Sequence, residues 1–556
     1  MSVTKSQIRP GVYFDSVVLM QLQRNLLALP GVEDAGVVMA TPANLELLAD
    51  SNLLNNEGKS AKPDDLLIVV RGAKETDAEA ALGQVDELLK KRRSAAGSQF
   101  RPRSLAAAAK NLPSAEWVLI SVPGRYAAKV AHEALEIGKH VFLYSDNVSI
   151  EDEIEVKQKA AGLGLLVMGP DCGTAFINGV GLGFANRVKR GNIGLVAASG
   201  TGLQSVSVQI SNLGGGISQA IGTGGRDLKS EVGALSMLQG LKYLAADSLT
   251  EVIVLISKPP DEKVATNLLG IARQVGKPVV INFIGFAPPA AQIGNLHFAA
   301  GLDHAAKLSV SLASSKPSGP ENREAPKTGY VRGLFSGGTL AYEVLNGLQL
   351  FLNPIYSNIP IRRDQELTNP LNSHEHTILD LGEDEFTIGR LHPMMDNDFR
   401  LRRMKLEAED KNVGMIVLDV VLGEGSHTDP ASELAPAIAA HKKARKDLEF
   451  AALVVGTDED PQKLDEQISK LENASARVFR EISPLINYVA SRFGLSSIEE
   501  VPSVKPFTKP LAAINVGVES FFDSLKAQGA EAIQVDWRPP ASGNEDLMNI
   551  LEKMKA

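Results

Sequence analysis

Twice in this chain a short apolar strand breaks into a turn of small polar residues and passes straight into a helical pattern. The first copy runs from Ile193 to Ala198, turns at Ser199-Gly200-Thr201-Gly202, and continues with apolar residues at Leu203, Val206, Val208 and Ile210. The second runs Gly333-Leu334-Phe335, turns at Ser336-Gly337-Gly338-Thr339, and continues through Leu340 to Val344. Each is followed by a loop rich in glycine or acid, Gly222–Leu228 and Asp380–Phe386, and then by a second apolar strand, Val252–Ser257 and Met415–Gly423. The doubling predicts two tandem α/β units that arose by internal duplication. A strand that turns sharply into a helix gathers unpaired backbone N–H groups and the positive end of the helix dipole at one point. Such a point holds phosphate or carboxylate. Ser199, Gly200 and Thr201 are therefore expected to form one phosphate turn, and Ser336, Gly337, Gly338 and Thr339 its pseudo-symmetric partner. The two are expected to face each other across a single anion site.

At 556 residues the chain has room for roughly three or four domains of about 150 residues. It is 44% hydrophobic and 22% charged, so each can bury a core. A net charge of -9 argues against nucleic acid and anionic membranes as partners. No apolar run approaches the roughly 20 residues that span a bilayer, and the first residues lack the apolar stretch of a secretion signal. A cytoplasmic protein is expected. The single cysteine, Cys172, excludes an internal disulfide framework and a cysteine-rich metal site; no metal is expected.

Strand and helix patterns alternate along the whole chain, which predicts α/β architecture in several domains. An N-terminal α/β domain covers 1–100, with strands at Ala35–Thr41 and Asp65–Arg71 and a helix from Asp15-Ser16 to about Leu27. A Rossmann-like domain covers 101–190, with strands at Trp117–Val122, His140–Tyr144 and Leu165–Met168, each delivering small polar residues at its carboxyl end, where open α/β sheets hold ligands. Two flavodoxin-like domains follow at 191–315 and 330–500. A βαβα extension covers 505–556 and is expected to pack with another domain, because two strands alone are marginal. The composition of Arg92–Ser104 and of residues 315–329 marks both as linkers.

Several polar residues stand where chemistry would be expected. In the loop after the first copy, Gly224 and Gly225 accompany Arg226, which either orients substrate or pairs with Asp227. Arg390, His392 and Asp396 share a loop too polar for a core. His392 is the better acid–base candidate of that loop because an imidazole titrates near neutrality. His427 with Asp429 is similar, although Asp429-Pro430 also fits an ordinary helix start. Lys258 closes a strand on the ligand side. Cys172 is either a nucleophile or a small buried filler, and filler is the commoner role.

Three strings, Gly169–Thr174, Gly191–Thr201 and Gly222–Gly225, resemble the α subunit of succinyl-CoA synthetase. The second repeat is similar, more faintly, to the carboxyl-terminal domain of that enzyme's β subunit. Further strings, among them Phe14-Asp15-Ser16, Phe142–Asn147, Gly224–Leu228, Ser257–Pro260, Arg390–Asp396 and Gly425–Pro430, resemble the FdrA family of acyl-CoA-synthetase-like proteins from end to end. The resemblance implies a Rossmann-like CoA-binding-type domain followed by two synthetase-like flavodoxin-type domains, and it adds Asp171 to the substrate-binding set. It also implies a subunit of oxamate carbamoyltransferase type, in purine and allantoin catabolism, which converts oxalurate and phosphate into oxamate and carbamoyl phosphate. Inorganic phosphate is then a substrate, a small carboxylate or carbamoyl compound the other, and further protein subunits the partners. Two departures from the synthetase matter. No glycine-rich loop that would grip CoA lies in 1–100, and about fifteen residues separate the repeats, with no room for a nucleotide-binding domain. The alternatives are an acyl-CoA synthetase that uses a nucleotide site on a partner chain, and a non-catalytic anion-binding scaffold. The phosphorylated histidine of the synthetase has His297 as its nearest counterpart, inside an apolar run.

Overall fold

A computed structural model describes residues 2–10, 16–63, 65–89, 101–286, 288, 290–314, 327–349, 351–493, 503–507 and 509–539. The chain divides into two compact units, 1–185 with 505–556, and 186–504. Apart from residues 101–104 and 327–329, the two expected linkers lie outside the described residues.

The first domain contains β1 (Val3–Arg9), α1 (Ser16–Leu27), β2 (Val32–Met39), α2 (Pro42–Asp50), β3 (Leu66–Gly72) and α3 (Glu75–Gly83). Its sheet order is β1-β3-β2, with β3 antiparallel to both neighbours. Alternate residues of β3 point to opposite faces. Leu66, Ile68 and Val70 pack with Leu22 and Leu26 of α1 and Ala78 of α3, while Leu67 and Val69 pack with Leu48, Leu53 and Ala61 on the other face. β1 has no counterpart in the sequence reading. Its polar residues Thr4, Lys5, Ser6 and Gln7 hide it, as suits an edge strand, and Lys5 and Arg9 reach Glu75, Glu79 and Asp86.

The Rossmann-like domain supplies β4 (Trp117–Ile120), α4 (Gly124–Glu136), β5 (His140–Leu143), α5 (Ile150–Leu163) and β6 (Val167–Met168), all three strands parallel. Ser149 caps α5 by accepting the Asp152 amide at 3.0 Å. Three acids in its first turn favour the dipole, and Gly164, with φ +66°, ends it. An antiparallel hairpin follows, β7 (Thr174–Ile177) and β8 (Val180–Gly183).

The second unit contains both repeats. The first consists of β9 (Arg190–Ala197), α6 (Gly200–Asn212), β10 (Ile217–Gly222), α7 (Leu235–Ala246), β11 (Val252–Ser257), β12 (Val279–Phe283), β13 (Gln292–Ile293), β14 (Leu296–Phe298) and α8 (Leu302–Ser314). Its strands lie in the order β13-β14-β12-β11-β9-β10. The second consists of β15 (Tyr330–Phe335), α9 (Gly338–Leu348), β16 (Ile355–Ser357), β17 (His376–Asp380), α10 (Asp398–Glu409), β18 (Val413–Val421), α11 (Pro430–Ala444), β19 (Glu449–Val455) and β20 (Ala476–Phe479), ordered β16-β17-β15-β18-β19-β20 and parallel throughout. Each sheet begins at an interior strand and reverses direction there. The reversal falls between β9 and β11 in one repeat and between β15 and β18 in the other, and ligands of open α/β sheets bind at the carboxyl side of such a switch point. The tandem flavodoxin-like pair is present.

The C-terminal extension closes the first unit. Its strands β21 (Ala512–Val516) and β22 (Glu531–Val535) and intervening helix α12 (Glu519–Ala527) place β21 directly beside β4 in a five-stranded parallel sheet, β22-β21-β4-β5-β6. Gly517, with φ +123°, turns the chain so close to Ser121 that a Cβ there would lie 2.5 Å from its Oγ. The residues expected to form the last helix of the extension lie outside the described set from 540 onward.

Candidate functional site

Both small-residue turns sit at the switch points. In the first, β9 ends at Ala197 and the Ala198 amide donates to Ile256 of β11 at 2.9 Å. Ser199 is the N-cap of α6, and its Oγ accepts the Gly202 amide at 3.2 Å. Ser199 and Gly200 are partly exposed and Thr201 is exposed, so the turn opens to solvent. Thr223 is buried and bonds back to Ala197, while Gly224, with φ +86°, reverses the loop. Arg226 is partly exposed and Gly225 exposed beside it. Asp227 is fully buried, and its two carboxylate oxygens accept the Ser236 and Met237 amides at the start of α7. Asp227 thus caps a helix, and Arg226 lies nearer solvent beside it.

The second turn has a different interior. Asp419 of β18 has no exposed surface, and its carboxylate accepts the Ser336 amide (2.7 Å), the Ser336 hydroxyl (2.9 Å) and the Gly337 amide (2.8 Å). Arg400, 2% exposed, lies 3.5 Å from Asp419 Oδ1 and also donates to the Asp419 and Pro393 carbonyls. Asp380, at the end of β17, accepts the Gly382 amide at 2.8 Å. Its other oxygen lies against the start of α9, where a Cβ on Gly338 would be 2.3 Å away. Burial raises the Asp380 carboxyl above its ordinary range; the Gly382 amide opposes this, and the like charges of Glu383 and Asp419 reinforce it. Three of the donors expected to bind phosphate here are already bonded to a carboxylate of the protein itself.

Of the three candidates in the 387–396 loop, His392 alone approaches this turn. Its Nδ1 accepts the Met394 amide at 3.2 Å, and its Nε2 faces Gly382, 2.8 Å from where a Cβ would stand. Arg390 instead lies over the Phe399 ring at 4.9 Å. Asp396 is exposed and accepts the Asp398 amide, starting α10. His427 pairs with Glu433, and Asp429 caps α11 and pairs with Lys470, so this couple holds a helix start. His297 lies within β14, paired with Val280 and Gln292, and burial lowers its pKa. Asp171 is exposed in the other unit, with φ +56° and its amide bonded to Ser145. Cys172 is buried and its thiol is pushed up to about 12 by that burial. A thiol held that far from ionisation is a poor nucleophile. The native protein is expected to resist a thiol reagent until it is unfolded, and Cys172→Ser to fold as the wild type does; rapid native labelling would contradict this.

Asp419, Asp380 and Arg400 were absent from the sequence candidates. Asp419 had a signal: a lone carboxylate in the apolar strand Met415-Ile416-Val417-Leu418-Asp419-Val420-Val421 must be paired if that strand is buried.

Residues 334–482 match the CoA-ligase family, and residues 1–103 match the family described as "AllF, heavy metal-associated domain". The uncharacterized protein YahF of Escherichia coli (strain K12) is 42% identical over 493 residues, covering 85% of this chain and 95% of YahF. The chain belongs to the YahF family. Subunit α 2 of the ADP-forming succinate–CoA ligase of Archaeoglobus fulgidus is 28% identical over 184 residues, 32% of this chain and 62% of that subunit. A solved apo acetyl-coenzyme A synthetase 1 from Ca. Korarchaeum cryptofilum aligns over 68% of this chain and 82% of its own, at 15% identity and a TM-score of 0.29. The CoA-ligase match and the succinate–CoA ligase relative, taken together, relate this member of the YahF family to acyl-CoA-synthetase-like proteins.

The heavy-metal description of the first domain does not fit its donor set. Residues 1–103 contain no cysteine and no histidine, the ligands that soft and borderline metals prefer. Among the described residues no group of three or more His, Cys, Asp or Glu is arranged to hold a metal ion. No helix among them is long and apolar enough to cross a membrane.

Proposed function

We propose that this chain is the acyl-phosphate-handling subunit of a CoA-ligase-type enzyme whose nucleotide site lies on a partner chain. The observation that carries this reading is the open turn Ser199-Gly200-Thr201 at a switch point of a synthetase-like sheet. In such an enzyme a carboxylate is activated as an acyl phosphate, the CoA thiol displaces phosphate, and the leaving phosphate needs fixed donors. Backbone amides at a helix start supply them without reorganisation. Arg226 and Lys258, on the loops after β10 and β11, add positive charge on the same side of the sheet. The related CoA-ligase and succinate–CoA ligase sequences support the class of chemistry.

Carbamoyl transfer is the second reading, and the short span between the repeats favours it: residues 315–329 leave no room for a nucleotide-binding domain, and phosphorolysis of oxalurate needs none. The same turn would then hold the attacking phosphate. The deciding assay co-expresses the chain with the products of neighbouring genes. ADP formation dependent on CoA and a carboxylate supports the ligase, carbamoyl phosphate from oxalurate and phosphate supports the transferase, and neither activity from any combination sinks both. Under either reading, Gly200→Val crowds the approach to the α6 amides and is expected to raise the KM for phosphate about tenfold or more, the loss of one or two charge-assisted hydrogen bonds. An unchanged KM would remove this turn from the site.

A further inference from the structure

The two turns repeat one pattern, yet the charges around them are opposite in sign. At α6 the adjoining strand β11 ends Ile256-Ser257, with no carboxylate, and Lys258 follows at the surface. The nearest acid of the loop, Asp227, is turned away into the cap of α7. At α9 the adjoining strand carries Asp419, whose two oxygens accept three donors of the turn, and Asp380 presses on Gly338 from β17. Exposed Glu383, Asp384 and Glu385 follow in the next loop.

We propose that Asp419 is a built-in anion that closes the α9 turn to free phosphate, so that the chain takes phosphate through the α6 turn alone. A carboxylate that accepts the Ser336 and Gly337 amides and the Ser336 hydroxyl takes three of the donors a phosphate would use, and its charge opposes an anion at the first amides of α9 that follow. With no exposed surface, it cannot swing aside into water without opening the strand. Arg400 holds it from behind, and Asp380 repels any second anion. The repeat itself provides the control: each turn has partly exposed glycine and an exposed threonine, but the strand beside the first ends Ile256-Ser257 with no carboxylate. This deepens the reading of the α6 turn as the phosphate site, and rests on it only for where phosphate binds in the wild type.

The test titrates the full chain with inorganic phosphate by calorimetry and ³¹P NMR. Wild type is expected to bind one phosphate, lost in Gly200→Val and kept in Gly337→Val. Asp419→Ala frees the Ser336 and Gly337 donors and leaves Arg400 to meet the ligand, so it is expected to gain one further phosphate, lost again when Gly337→Val is added. Because Arg400 unpaired in the core can unfold the unit, Asp419→Asn and the double variant Asp419→Ala/Arg400→Met are measured alongside. No gain in any natively melting Asp419 variant, or loss of the wild-type phosphate in Gly337→Val, overturns the proposal. Wild-type binding that survives Gly200→Val overturns the assignment to α6 instead, and the Asp419 variants report separately on the closed turn.

Discussion

Ending the chain after residue 504 is expected to unfold the N-terminal unit, not merely to shorten it. The extension contributes β21, which pairs in parallel with β4 from Ala513–Trp117 to Val516–Ile120. Ala512, Ile514, Val516 and Val535 belong to the same buried cluster as Val118, Ile120 and Val141. Phe507 packs edge-on to both Trp117 and His140, with ring centroids 5.0 and 5.1 Å away. Each large apolar side chain withdrawn from a core costs about 1.5–3 kcal/mol, so losing four or five of them matches the roughly 5–15 kcal/mol that holds a typical domain folded. Calorimetry of the full chain and of residues 1–504 decides the matter. The truncated protein should lose the transition of the first unit and keep that of the second. Identical melting profiles would show that the extension is dispensable.

Glu407→Ala is expected to destabilise the second unit by about 3–5 kcal/mol, the cost of stripping a buried charge of its partner. Glu407 of α10 accepts Arg332 of β15 at 2.8 Å on one oxygen, and Arg403 at 2.7 Å and Ser373 at 2.5 Å on the other. Both arginines are at most 3% exposed. The alanine leaves Arg332 with only the more exposed Asp410 carboxylate, 3.3 Å away, and Arg403 with carbonyl and hydroxyl acceptors alone. Arg332 stands on the strand that delivers Ser336, so the loss should spread to the α9 turn. Replacing Arg332, Arg403 and Glu407 together with apolar residues of similar size should recover most of the stability, because a buried ion cluster costs nearly as much desolvation as it returns in attraction. Denaturant midpoints of the single and triple variants check both halves. A single variant within about 0.5 kcal/mol of wild type, the range of ordinary surface substitutions, would refute the first.

The turns and strands of both repeats were legible because their strands are unbroken apolar runs that end in small polar residues. Parallel strands covered on two faces carry exactly this signal, whereas the half-exposed edge strand β1 does not. The extension's two strands were legible, but not their place beside β4. Nothing local in Ala512–Val516 says that Ala513 will pair with Trp117, far earlier in the chain. The candidate site was legible only in its backbone turns. Backbone donors at a helix start can be inferred from Ser-Gly-Thr, but whether those donors are vacant depends on a side chain from a strand some eighty residues later. That is why the α6 and α9 turns looked alike in sequence and differ in structure. Arg390 and Asp396 were grouped with His392 because they share a loop; the fold sends Arg390 to Phe399 and Asp396 to the start of α10.

The position of β21 has a consequence for how this protein is made. A ribosome adds about 5–20 residues each second, so β4 emerges many seconds before the strand that will flank it. Through that interval β4 offers an unpaired edge of Trp117, Val118, Leu119 and Ile120 to whatever else is near, the kind of exposed apolar edge that invites aggregation. The second unit, complete in sequence by residue 504, is free to fold during the same wait. The N-terminal unit is thus the first to be started and the last to be finished, and in a growing cell it is the part of this chain with most call on a chaperone.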